Sequence, residues 1–102
     1  MIGTGSVGVQ NISNQTDVAI GTSGKPIRVY AAEVVSGGTA AVIKLRNGTA
    51  ATATIYSQIN GTISKGVFRS YGSSGLLFPA GCFADVDTNT SYLTVTYTKE
   101  VG

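Results

Sequence analysis

A chain of 102 residues with 12% charged side chains, a net charge of +2 and no histidine is one domain with little catalytic chemistry in it. Without imidazole it lacks the commonest general base and the commonest metal ligand. Its single cysteine, Cys82, excludes an internal disulfide, and so small a charge is a weak basis for a polyanion partner.

The first residues, "MIGTGSVGVQ", hold no basic region and no long apolar run, so no signal peptide is expected. No segment approaches the ~20 apolar residues of a membrane helix. Residues 1–25 are rich in Gly, Ser, Thr, Asn and Gln, with two alternating pieces, "SVGVQNI" and "TDVAIGT". This stretch reads as an extended N-terminal arm that pairs at a sheet edge, with residues 26–102 as the folded domain. Removing residues 1–24 is therefore expected to weaken association and leave a 27–98 sandwich folded.

"KPIRVYAAEVVS" reads as a long strand with Ile27, Val29 and Ala31 on one face and Arg28, Tyr30, Ala32 and Val34 on the other. Gly37 and Gly38 turn the chain. "TAAVIKLR" then alternates, Ala41, Ile43 and Leu45 opposing Lys44 and Arg46.

Asn-Gly-Thr occurs at residues 47–49 and again at 60–62. Asn-Gly tolerates positive φ and marks hairpins. Side-chain parity refines this, because a one-residue slip moves every side chain to the opposite face. An odd loop length groups Ile43 and Leu45 with Ala51, Ala53 and Ile55, and groups Ile55 and Ile59 with Ile63 and Val67. Two three-residue loops are expected, each with glycine in the left-handed region, in a meander over residues 39–70.

"ISKGVFRSY" alternates poorly, and Gly66 leaves open a bulge that re-aims Phe68. "GLLFP" is a short apolar strand. "CFADVD" and "SYLTVTYTK" read as a final pair, with Leu93, Val95 and Tyr97 on one face and Thr94, Thr96 and Thr98 on the other. No helical spacing occurs. The expectation is an all-β, antiparallel β-sandwich, jelly-roll-like, with an extended N-terminal arm.

The densest set of oxygen ligands is "ADVDTNTSY", where Asp85, Asp87, Asn89 and Ser91 fall at every second position. A calcium loop places Gly sixth and Glu twelfth; Thr90 and Thr96 stand there instead. Asp and Asn at a strand end ordinarily cap a turn, so no metal site is assigned. Cys82 reads as a small buried hydrophobe. Asn11, Asn14, Asn47, Asn60 and Asn89 each head an Asn-x-Ser/Thr triplet, which in so Ser/Thr-rich a chain reads as turn chemistry.

Catalysis has little to draw on. Only Asp17, Glu33, Asp85 and Asp87 are offered for paired-carboxylate work, and nothing in the sequence brings them together. No enzyme, no cofactor and no catalytic or metal residue is expected. The bases Lys25, Arg28, Lys44, Arg46, Lys65, Arg69 and Lys99 are scattered singly, and Tyr30, Tyr56, Tyr71 and Tyr92 read as strand packing or an interface. No nucleic-acid partner is expected.

From Ile27 to Tyr97 the chain resembles small β-rich virion proteins of tailed bacteriophages. "IRVYAAEVVSGGTAAVIKLRNGTA" and "GLLFPAGCFADVDTNTSYLTVTY" carry the resemblance. It implies a capsid decoration or cement protein, made in the bacterial host cytoplasm and located on the virion surface. It further implies a homotrimer with the major capsid protein as partner. A carbohydrate-binding, lectin-like β-sandwich is the alternative.

Overall fold

The computed structural model describes residues 4–12 and 17–100, with side chains from Gly8 onward. Among them are nine strands and no helix: β1 (Thr4–Ile12), β2 (Val18–Ile20), β3 (Ile27–Ser36), β4 (Val42–Asn47), β5 (Thr54–Asn60), β6 (Gly66–Ser70), β7 (Leu76–Phe78), β8 (Cys82–Val86) and β9 (Thr90–Glu100). One sheet has the order β1-β9-β3-β6, with β7 also pairing β3; the other has the order β2-β8-β4-β5. All pairings are antiparallel. This interleaving of early and late strands in two facing sheets, of five and four strands, is a jelly roll, two Greek keys wound together.

Period-two alternation produces the core. Ile27, Val29, Ala32 and Val34 of β3 and Leu93 and Val95 of β9 face Ile43, Leu45, Ile59, Cys82, Ala84 and Val86 of the second sheet. The β3 faces differ from strict alternation, because a bulge at Tyr30, between Val29 and Ala31 in the register with β9, switches the inward set from odd to even residues. Ile27 and Val29 point inward before it, and Ala32 and Val34 after it.

The N-terminal stretch is extended and lies at sheet edges, and its partners are strands of this same chain. β1 pairs β9 from Thr4↔Glu100 to Ile12↔Leu93. β2 pairs β8. Ile12 and Ile20 are buried in the common core. Residue 25 therefore does not divide an arm from a sandwich: the sandwich includes β1 and β2. The Gln10 side chain joins them across the two sheets, its Nε2 donating to the Ala19 carbonyl at 3.1 Å and its Oε1 accepting from Gly21 N–H at 2.9 Å. Polar composition hid this role, because an edge strand of a small sandwich buries only one face and needs few apolar residues.

The meander over 39–70 is corrected at two places. In the β4–β5 hairpin odd residues do face odd ones, Ile43↔Ile59 and Leu45↔Ser57, but a bulge at Tyr56 then pairs Arg46 with Ile55. Ile55 is turned out to solvent, and the loop runs from Gly48 to Ala53. At Asn60-Gly61 no hairpin forms. β5 belongs to the second sheet and β6 to the first, so the chain crosses between sheets. The turn falls at Thr62–Lys65, where Lys65 N–H donates to the Thr62 carbonyl at 3.1 Å and Ser64 takes φ 56°. β6 itself is regular against β3, with no bulge at Gly66. The expected final pair is likewise split: β8 lies in the second sheet and β9 in the first, joined by a turn in which Thr90 N–H donates to the Asp87 carbonyl.

The two Asn-Gly glycines are required for different reasons. Gly48 has φ 151°, in a region that disfavours side chains. Gly61 has no positive φ; it is needed for space. A Cβ there would collide with the Oγ of buried Ser36, which accepts from Ala41 N–H at 3.0 Å. Gly61 N–H also donates to the Ala41 carbonyl at 2.7 Å. Gly61→Val should destabilise the fold by roughly 2–3 kcal/mol, the scale of overpacking combined with a strained buried hydrogen bond. Gly38→Val, with open space around its Cβ position, is the control. Urea melts of the two variants should differ by more than about 1 kcal/mol; equal midpoints would contradict the close-approach assignment.

Candidate interaction surface

The carboxylates of the Asp-rich stretch have structural partners. Asp85 Oδ2 lies 3.0 Å from Arg46 Nη2 and accepts from Arg46 Nε at 3.0 Å. Asp87 Oδ1 accepts from Asn89 N–H at 2.8 Å, closing a turn on its own backbone, and its Oδ2 accepts from Val42 N–H at 3.2 Å. Asp17 Oδ1 accepts from Val86 N–H at 2.7 Å. These three aspartates tie the start of β2 to β8 and β8 to β4 within the second sheet. Such carboxylates are occupied by donors the fold needs. A chelator should therefore move the melting temperature by less than about 5 °C, a shift of order 1 kcal/mol for a chain of this size. A larger drop on adding EDTA would assign the Asp85–Asn89 loop to a cation after all.

Cys82 is buried on the inward face of β8, and burial pushes its thiol pKa up to about 12. A thiol held neutral in apolar surroundings is a poor nucleophile. Burial also raises the Tyr71 phenol above its usual range, against the opposing effect of its hydrogen bond to Ser57 Oγ at 2.7 Å.

The tyrosines do not form one platform. Tyr71 ties to Ser57, Tyr56 lies against Phe78 with ring centroids 5.4 Å apart, and Tyr30 Oη accepts from Thr98 Oγ1 at 3.5 Å. Of the Asn-x-Ser/Thr triplets, Asn14 lies outside the described residues. Asn47 holds the Ala80 N–H and the Tyr56 hydroxyl, and Asn11 accepts from the Thr94 hydroxyl.

The two outer faces of the sandwich differ in chemistry. The second sheet carries Lys44 beside Asp85 and Arg46 beside Ile55 and Phe83. On the outer face of the first sheet Arg28 and Glu100 pair with each other at one end, and the rows beyond them are poor in charge. Directly opposed residues on antiparallel strands share a face, so the register sets out its rows. Asn11, Thr94, Glu33 and Phe68 form one. Val9, Thr96, Ala31 and Ser70 form the next. Tyr92, Val35 and Gly66 form a third. Phe68 is 65% exposed, Val9 60% and Tyr92 56%, and Glu33 is the one charged group in these rows. Three large apolar side chains standing out of one face mark an interaction surface more than a solvated one.

Phe68 was the residue that alternation left unplaced. The regular β3–β6 register turns it outward, opposite Glu33, while Val67 packs inward. The contrast between the faces depends on which strands share a sheet, and no local pattern in the sequence records that.

No protein-family model matches the sequence, and no curated protein matches it. One solved structure similar to this chain comes from Bacillus endospore appendages, described as a novel family of disulfide-linked pili. It is 9% identical, with a TM-score of 0.49 over 95% of this chain and 90% of that one.

Proposed function

We propose that this chain is a structural subunit of a bacteriophage particle. It decorates or cements the capsid surface through contacts with the major capsid protein and with further copies of itself, as a homotrimer. The observation that carries the reading is the part of the first sheet's outer face that bears exposed Phe68, Tyr92 and Val9 with Glu33 as the one charge in its rows. A small domain gains stability by covering such a face. Symmetric lattice positions favour a cyclic assembly. The resemblance of residues 27–97 to phage virion proteins supports the choice of particle. The carboxylates Asp17, Asp85 and Asp87 and the buried Cys82 are taken up by the fold, which supports a role in surface contact.

Co-sedimentation tests it. The chain is expected in fixed stoichiometry on purified virions and as an oligomer by light scattering. A chain that stays monomeric, is absent from particles and binds glycans in isolation would replace this reading with the carbohydrate-binding one, which the same fold also accommodates.

A further inference from the structure

Glu33 stands apart from the other carboxylates. Glu100 is paired with Arg28 and Asp85 with Arg46, while Asp17 and Asp87 accept backbone N–H groups. Among the described residues Glu33 has neither an ion pair nor a hydrogen bond. It is exposed at the middle of β3, on the central part of the apolar face.

Its neighbours shape what it would bind. Phe68 lies directly across from it on β6, and Tyr92 lies diagonally across on β9, two residues from its partner Thr94. Diagonal neighbours on one face are ~7–8 Å apart, within reach of aromatic side chains. Gly66, beside Val35, carries no side chain, and a Cβ there would sit 3.4 Å from Glu33 Oε2. The register thus leaves a gap over Gly66 beside the carboxylate, a shallow notch with Val35 at its side and the exposed rings of Phe68 and Tyr92 on the neighbouring strands. Aromatic faces attract cations, and a carboxylate between them completes the site.

We infer that this notch receives a lysine or arginine side chain from a second copy of the chain, which deepens the self-association proposed above and rests on it. Charge complementarity selects the occupant. The chain carries a net +2, and among the described residues Lys25, Lys44, Lys65, Arg69 and Lys99 have no ion pair, whereas Glu33 is the carboxylate without a partner. Two copies meeting face to face would oppose their Glu33 side chains, so the contact is head-to-tail: the notch of one copy takes a base from elsewhere on the next.

Area gives the same geometry. The three rows span about five residues of four strands ~4.8 Å apart and present roughly 320 Å², below the ~800 Å² per partner of a standard stable interface. In a closed ring each copy uses two patches, the notch and the donor of the base, and ring closure adds to both.

The test uses the full chain, by sedimentation velocity at low and at high salt. Glu33→Gln should weaken self-association about tenfold at low salt, on the scale of a partly desolvated cation–aromatic contact, and much less at high salt. Glu33→Lys should abolish it, with an unchanged far-UV spectrum showing that the fold persists. One of five charge swaps, Glu33→Lys combined with Lys25→Glu, Lys44→Glu, Lys65→Glu, Arg69→Glu or Lys99→Glu, should restore it and identify the donor. An intact chain that associates equally with and without Glu33 would overturn this inference and leave the oligomer standing. Restoration by none of the five swaps would overturn the second copy as the source of the cation. An intact chain that is monomeric but sediments with particles would do so too, while the capsid reading survives.

Discussion

Deleting residues 1–24 is expected to abolish folding, with a far-UV spectrum of a disordered chain and no cooperative melt. β1 and β2 are the outer strands of the two sheets on one side of the sandwich. Their loss removes the buried side chains of Ile12 and Ile20, worth roughly 1.5–3 kcal/mol each. It strips β9 of its pairing from Gly8↔Tyr97 to Ile12↔Leu93 and β8 of its pairing with Val18–Ile20. It also uncovers Leu93, Val95 and Ala84, all fully buried in the intact chain. A domain of this size has about 5–15 kcal/mol in total, and these losses consume most of it. A truncated protein that still melted cooperatively would show that the 27–100 portion is self-sufficient.

Phe78→Ala carries the second largest effect. Phe78 is the largest fully buried side chain, at the end of the three-residue strand β7, opposite Ile27. Tyr56, the bulge residue of β5, lies over it with ring planes inclined at 33°. Phe-to-Ala changes in a core cost about 3–5 kcal/mol. At ~4–8 °C per kcal/mol, the melting temperature should fall by roughly 12–40 °C. Tyr56→Ala alone, on the rim, should cost roughly 0.5–1.5 kcal/mol on the scale of an aromatic pair. The double variant should cost less than the sum of the two. A loss below about 1 kcal/mol for Phe78→Ala would mean that the site collapses around the missing ring.

Strand existence was legible in the sequence because it is local. Ile43 and Leu45, or Leu93 and Val95, sit on one face by simple alternation, and the all-β sandwich follows. What alternation could not carry is where it breaks and which strands meet. Tyr30 and Tyr56 each add one residue to a ladder, and each reverses the faces beyond it. Nothing in "VYAA" or "IYSQ" signals that. The two Asn-Gly-Thr tripeptides look alike, yet one begins a loop within a sheet and the other precedes a crossing between sheets. The second is decided by β6 pairing with β3, some thirty residues earlier in the chain. Turn chemistry at Asp87 is local and so legible, but the Asp85–Arg46 pair lies across two strands far apart in sequence. The apolar face around Glu33 escaped for the same reason: Phe68, Glu33 and Tyr92 come from three strands that only the sheet order makes neighbours.

The place of β9 between β1 and β3 has a consequence for how the protein is made. β9 is the last of the nine strands to be synthesised, and it bridges the first sheet, with Ile12 against Leu93 on one side and Val34 against Leu93 on the other. Until it emerges, β1 has no partner in that sheet. At ~5–20 residues per second, β1 waits roughly 4–18 s, uncharged and unpaired. Nascent chains of this protein are thus exposed longest at their N-terminal strand, and a ribosome-bound holdase that binds short extended segments would find its target there. A stall placed just before residue 90 should leave the whole first sheet sensitive to protease, and one placed well beyond residue 100 should protect it in a single step.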